Sequence, residues 1–295
     1  MDDTATLEKI SDAGHLSDRL GMIVTGVPHK IGTGFLARHF SEEMFGGSMD
    51  PLLMVDHFVM TEPTFEPHLH AGISAVTALF EDSEGAFLNR DTLGHKLAIK
   101  AGDLYWLAAA SGAAHEEFPE KGGRTHALQI FVNLPALLKA KPARAFHVPA
   151  QDVPILKEDG YRVRVVLGRS GDATGAEGAP VEVTMLDGFL EKNGRFAHTL
   201  ARDRQAWIYA VSGRLTIRVQ NEERVLDAGT ATTVKAGPQT DIVLLSGEPS
   251  HFVLLAGKPI KETFVKHGPL VMSTAEDVRR TLLSYQAGKF GDIPR

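Results

Sequence analysis

Residues 100–120 read KAGDLYWLAAASGAAHEEFPE. The stretch opens on a Gly-Asp turn at Gly102 and Asp103. A strand-like apolar run follows at Leu104–Leu107, then a second turn at Ser111–Gly112, then a segment carrying His115 and Glu117. Turn, strand, turn, strand is the rhythm of an antiparallel sheet. Side chains two apart on a strand share a face. His115 and Glu117 therefore point one way and Glu116 the other.

Upstream, PHLH sets His68 and His70 at the same spacing, just ahead of a strong strand at Ile73–Phe80. Two such pairs on neighbouring strands aim three imidazoles and one carboxylate at one point. Inward-facing His and Glu are costly to bury without a partner, and a first-row divalent ion supplies one. Imidazole and carboxylate suit Fe, Mn, Ni, Cu or Zn. Four protein ligands fill a tetrahedral site but leave open positions at an octahedral one, which O₂ chemistry needs. The competing reading is a set of unrelated histidines, drawn from the 13 in the chain. Spacing alone leaves both open.

The same strand-and-turn rhythm continues outward in both directions. Short runs such as Leu52–Asp56, Leu128–Asn133, Tyr161–Leu167, Trp207–Val211 and Phe252–Leu255 alternate with glycine turns. The expected class is all-β, built from antiparallel sandwiches or barrels. The strand sets read as two diverged copies of one unit. HALQIFVNLP (126–135) aligns with HFVLLAGKPI (251–260), and KAGDLYWLAAASG (100–112) with DAGTATTVKAG (227–237), a separation of about 125 residues. In the second copy Thr240 takes the place of His115 and Ile242 that of Glu117, so only the first copy carries the ligand set. His198 in the second copy has no companion two residues away. The expected organisation is an arm over residues 1–22, a metal-binding unit over 23–141 and a second unit over 142–295. Leu134–Lys141 reads as a helix-like bridge and Ser170–Pro180 as a loop. A terminal helix runs from Thr274 to about Gly288, with Ser273 as its cap.

Composition bounds the function. The chain has 295 residues, a net charge of -6 and no cysteine. Thiolate metal sites, disulfides and a Cys nucleophile are excluded. No basic block supports direct contact with nucleic acid. Neither a signal-peptide core nor a membrane-length apolar run is present, so a cytoplasmic protein is expected.

Several boxes together resemble the pirin family of the cupin superfamily. MDPLLMVDHF (49–58) resembles the stretch leading into the first ligands, and HLHAG (68–72) the HPHRG box. AGDLYWLAAASGAAHEEFPE (101–120) resembles the second ligand box, and LQIFVNLP (128–135) the strand after it. KHGPLVMSTAEDVRRTLLSYQAGKFG (266–291) is similar to the family's C-terminal helix. The resemblance implies a bicupin, two antiparallel β-barrel (jelly-roll) domains face to face with a C-terminal helix. It places His68, His70, His115 and Glu117 on the family's metal ligands, with Fe(II) the usual ion. Bacterial members resemble quercetin 2,3-dioxygenases, which open flavonols with O₂ and release carbon monoxide. Other members are regulatory proteins that bind a transcription factor or a metabolic enzyme.

This sequence departs from the family's first box at Leu69, Ala71 and Ser74, where pirins have Pro, Arg and Glu. Such neighbours orient ligands, so the departure bears on the reaction more than on the fold. The expected reaction is dioxygenation of a small aromatic or enolic substrate, with Glu117 as candidate base. The alternative is a metal-dependent binding protein without turnover. Trp106 reads as core or site wall, His57 as core or ligand support, and His126 and His251 as structural residues at equivalent repeat positions. His267 reads as a turn residue, Arg279–Arg280 as a solvated face and residues 85–91 as an outer hairpin.

Overall fold

The computed structural model describes residues 18–295, so most of the expected arm over 1–22 lies outside the described residues. Among them, each half of the chain builds a seven-stranded sheet and a four-stranded sheet. The larger N-terminal sheet runs Arg144–Val148, Leu104–Ala108, Ile73–Leu79, Thr125–Asn133, Leu52–Met60, Phe35–Ser41, Val27–Ile31. The larger C-terminal sheet runs Val24–Thr25, Thr230–Val234, Gln205–Ser212, Ser250–Gly257, Val183–Leu190, Tyr161–Leu167, Ile155–Glu158. Position for position the route is the same. The smaller sheets match too. His68–His70, Ala113–Pro119, Phe87–Asp91 and Lys96–Ile99 correspond to Arg195–Leu200, Thr240–Leu245, Arg214–Val219 and Glu222–Asp227. The repeat read from the sequence is thus a repeated topology.

The all-β, two-unit jelly-roll organisation holds, and the sheets do not close into barrels: among the described residues no hydrogen-bonded ladder joins the larger sheet of either unit to its smaller partner. Pairing also crosses between units at the sheet edges. Val24–Thr25 pairs with Thr230–Ala231 of the second unit, and Arg144–Val148, beyond the bridge, pairs with Leu104–Ala108 of the first.

Period-2 alternation explains the core. Ile73–Leu79 and Ser250–Gly257 are buried at every position, because each larger sheet is covered on both faces. Val55, Trp106, Leu128 and Ile130 point outward from the first unit and meet Met185, Trp207, Tyr209 and Val253 of the second in one apolar seam. The residues between them point inward. Phe58, Tyr105, Leu107 and Ala127 fill the first unit, and Phe252, Leu254 and Ile208 the second. The two larger sheets therefore pack face to face. Polar contacts pin the seam as well: His57 Nδ1 lies 2.6 Å from Tyr209 Oη, and Arg162 Nη1 donates to Glu81 at 2.6 Å.

The bridge forms one helical turn, Ala136–Lys139. The loop after Arg169 folds into a small hairpin, Arg169–Ser170 with Ala173–Thr174. The terminal helix is Ala275–Gln286, and its cap is Thr274 rather than Ser273. Thr274 is extended (φ -138°, ψ 159°), and its Oγ1 accepts from the Asp277 amide at 3.1 Å. No helix among the described residues is long and apolar enough to cross a membrane.

Candidate metal centre

Strand pairing brings the two ligand pairs together. His68–His70 runs antiparallel to Ala113–Pro119, with His68 opposite His115 and His70 opposite Ala113. The inward faces of both strands coincide, so His68, His70 and His115 converge. Their ligand nitrogens all lie within 4.8 Å of one another. His70 Nε2 and His115 Nε2 approach to 3.0 Å.

Burial keeps these rings neutral, because an imidazolium without water or a counter-ion is disfavoured. It depresses His68 and holds His70 well below the usual range, with His115 and His68 adding to the latter. His115 is pulled down to about 3 by burial, then by His68. Neutral imidazole is the ligating form. His68 Nδ1 sits 2.9 Å from the Glu66 carbonyl, which directs Nε2 toward the centre. His70 Nδ1 and His115 Nδ1 are buried without partners. Three neutral rings, two of them nearly Nε2 to Nε2, form a donor set that fits one divalent cation.

Glu117 lines the same cavity but falls outside the three-histidine group. Thr77 Oγ1 lies 2.9 Å from both carboxylate oxygens and 3.1 Å from Gln129 Oε1. Burial pushes Glu117 up to about 7, against the Thr77 hydrogen bond and with help from Asp91. Glu116 points away, as expected, and pairs with Arg90 at 2.6 Å.

The cavity holds about 160 Å³ and is walled by Phe35, Phe58, Phe65, Phe87 and Phe131, with Gln129 and Asp56. Sequence reasoning assigned no role to Thr77, Gln129 or these rings. It also dismissed residues 85–91. Phe87–Asp91 is in fact the strand next to Ala113–Pro119, with Asn89 opposite Glu117 and Asp91 opposite His115. Asn89 is fully buried with neither side-chain atom partnered, while Asp91 accepts from Tyr105. Alternation within FLNRD was the signal that could have found them.

The altered first box has a packing explanation. Leu69 and Ala71 are buried against Leu270, Met272 and Val278 of the C-terminal segment. Ser74 Oγ is buried without a partner. Between them Gly72 has φ +74°, and a Cβ there would sit 1.8 Å from the Val271 carbonyl oxygen, so only glycine fits. Lys139 Nζ ties this point together, donating to Gly72 O at 2.8 Å, Val271 O at 2.6 Å and Asn133 Oδ1 at 2.7 Å.

The remaining candidates lie elsewhere. Trp106 is a seam residue stacked on Phe146 at 5.8 Å. His57 Nε2 meets His126 Nε2 at 2.6 Å, and His126 Nδ1 lies 2.7 Å from Asp82. His251 Nε2 lies 2.6 Å from Asp187, which also accepts from Arg164 at 2.9 Å. His267 ends a short exposed strand, and Arg279 and Arg280 pair with Glu276 and Asp277 on the solvent side. In the second unit Leu200 stands opposite Thr240, where the first has His68 opposite His115.

Comparison with known proteins bears on both units. The pirin family model matches residues 26–132, and the model of the pirin C-terminal cupin domain matches residues 185–291. A putative quercetin 2,3-dioxygenase of Pseudomonas aeruginosa is 33% identical over 81% of this chain and 86% of its own length. Pirin of Homo sapiens is 29% identical over 83% of this chain and 84% of its own. The solved structure of a quercetin 2,3-dioxygenase from Acinetobacter baumannii superposes with a TM-score of 0.80 at 27% identity, covering 92% of this chain and 97% of that one.

Proposed function

Because this chain belongs to the pirin family, we propose that its first cupin unit is a mononuclear metal centre acting as a quercetin 2,3-dioxygenase-type enzyme. The substrates would be flavonols or smaller enols, with O₂ as co-substrate. One observation carries the reading: three neutral imidazoles converge on the wall of a phenylalanine-lined cavity.

A divalent ion held by His68, His70 and His115 would supply Lewis acidity and a position for O₂. Fe(II) is the proposed ion, with Mn, Ni, Cu and Zn as its competitors. Glu117 is proposed both as fourth ligand and as the base that takes the substrate's hydroxyl proton. The roles compete, since a bound cation lowers a carboxylate's proton affinity. The Thr77-held position favours the base role, because burial there keeps the carboxyl near neutrality at about 7. The phenyl walls exclude water and offer faces for an aromatic substrate. A volume of about 160 Å³ lies below the roughly 300 Å³ usual for drug-sized ligands. That volume suits a single ring or small enol; a flavonol needs the cavity to widen, and Phe65, 39% exposed, is the one solvent-exposed phenylalanine of its wall.

The second reading, a metal-dependent binding protein, is favoured by one feature. The positions of the family's Arg and Glu hold Ala71, packed on the C-terminal segment, and the unpartnered Ser74, so this chain lacks both charged groups of the family's first box. Incubation with quercetin, with and without air, separates the two. Metal-dependent and O₂-dependent loss of its visible absorbance supports the enzyme; no bleaching of quercetin or of single-ring enols supports the binding protein.

A further inference from the structure

We propose that the second cupin unit, which lacks the ligand set, holds a binding site for a small carboxylate anion, with Arg204 and His198 as its donors. A cavity of about 530 Å³ opens there, lined by both residues and by Thr184, Thr199, Glu177 and Glu182. That volume lies in the range of small-molecule sites, roughly 300–1,000 Å³. Its place in the fold echoes the metal centre: His198 lies on Arg195–Leu200, the counterpart of the strand His68–His70.

The interior groups are donors. Arg204 is 8% exposed and His198 4%. Arg204 Nη2 is fixed by Thr184 Oγ1 and Ala256 O, both at 2.9 Å. Its Nη1 donates to Glu182, whose side chain is 83% exposed. An exposed carboxylate is weakly held, so Glu182 is a displaceable occupant of Nη1. His198 Nδ1 lies 3.0 Å from Ser170 Oγ. With Ser170 donating, the ring's hydrogen sits on Nε2, which has no protein partner among the described residues. Burial, with Arg204 adding, pulls His198 down to about 4, so the ring is neutral and serves as a hydrogen-bond donor rather than a charge.

The acceptors lie at the rim, where Glu177 and Glu182 are exposed. With both Nη2 hydrogens held by Thr184 and Ala256, Arg204 Nη1 is left to donate to one oxygen of a carboxylate, and His198 Nε2 to the other. A phosphate dianion would face the two rim carboxylates with only one buried cation to offset them. The site is separate from the metal centre, so its test stands apart from the enzyme reading.

Calorimetric titration of the full-length, metal-loaded protein with acetate, benzoate and inorganic phosphate tests the assignment. The expected result is saturable carboxylate binding in the millimolar range or tighter, and no phosphate binding. Glu182→Gln should tighten carboxylate binding by up to about fivefold, the worth of one exposed ion pair. Arg204→Met should abolish it. Arg204→Lys, which keeps the charge but loses the guanidinium's anchoring on Thr184 and Ala256, and His198→Phe, which keeps the bulk, should each weaken it about tenfold. Metal content should stay unchanged in every variant. Absence of saturable carboxylate binding, preference for phosphate, or binding that survives both Arg204→Met and His198→Phe would overturn the proposal.

Discussion

Glu117 is where spacing and environment have to be read together. The two-residue periodicity put it on the same face as His115, and the structure keeps it there, lining the cavity. Its partner was not legible. Thr77 lies in an apolar run whose only polar cues are two hydroxyls, its own and that of Ser74, and it meets Gln129 and Glu117 through pairings spanning 52 and 40 residues of chain. The three histidines were legible because His-X-His and His-X-Glu on adjacent strands leave few other inward arrangements. If Glu117 is the base, Glu117→Gln should lower kcat for O₂ uptake by about 10²-fold or more. Metal content should hold within experimental error. Unchanged turnover with metal retained would remove the base role, and loss of the metal would make Glu117 primarily a ligand.

Among the elements, the strand His68–His70 owes its position to a glycine and a lysine behind it. Gly72 and Val271 meet with no room for a side chain, and Lys139 satisfies both carbonyls from a buried position. Gly72→Ala should lower stability by at least about 2 kcal/mol, from the left-handed backbone and the clash, and weaken metal retention with it. Lys139→Met leaves the Gly72 and Val271 carbonyls without this donor, and Asn133 Oδ1 with only the Leu134 amide, a loss of about 3 kcal/mol. Thermal unfolding of both variants checks this; a midpoint within a degree of the parent's would contradict it. Neither contact was visible beforehand, because each joins the bridge, the ligand strand and the C-terminal segment, up to 132 residues apart. The helix cap slipped by one residue for a local reason: Ser273 and Thr274 are both competent caps, and only backbone geometry chooses. The strand-and-turn rhythm left sandwich and barrel both open, because which strands pair at the sheet edges is not written in periodicity.

For the whole molecule, duplication was legible because aligned boxes recur at a fixed interval. The exchange of edge strands between units was not, since Val24–Thr25 is a two-residue strand with no pattern of its own. The seam between the units adds a pH response. Burial, then the neighbouring His126 and His251, pulls His57 down to about 3, and burial also lowers His126. The folded state thus stays unprotonated where an unfolded chain, with histidines near 6.5, takes up protons. Stability from this source is fully present above about pH 6.5 and declines as pH falls toward 3. The metal-free protein should show a falling unfolding midpoint across that window, with a shallower slope in His57→Phe; an unchanged slope would remove His57 from the account. The central claim is that His68, His70 and His115 hold one metal ion. Elemental analysis of protein purified without added metal or chelator tests it most directly, with the His70→Ala and His115→Ala variants alongside. The predicted result is close to one divalent transition-metal ion per chain, lost in both variants while their β-sheet circular dichroism persists; a metal-free parent that takes up no Fe(II), Mn(II), Ni(II), Cu(II) or Zn(II) would contradict it.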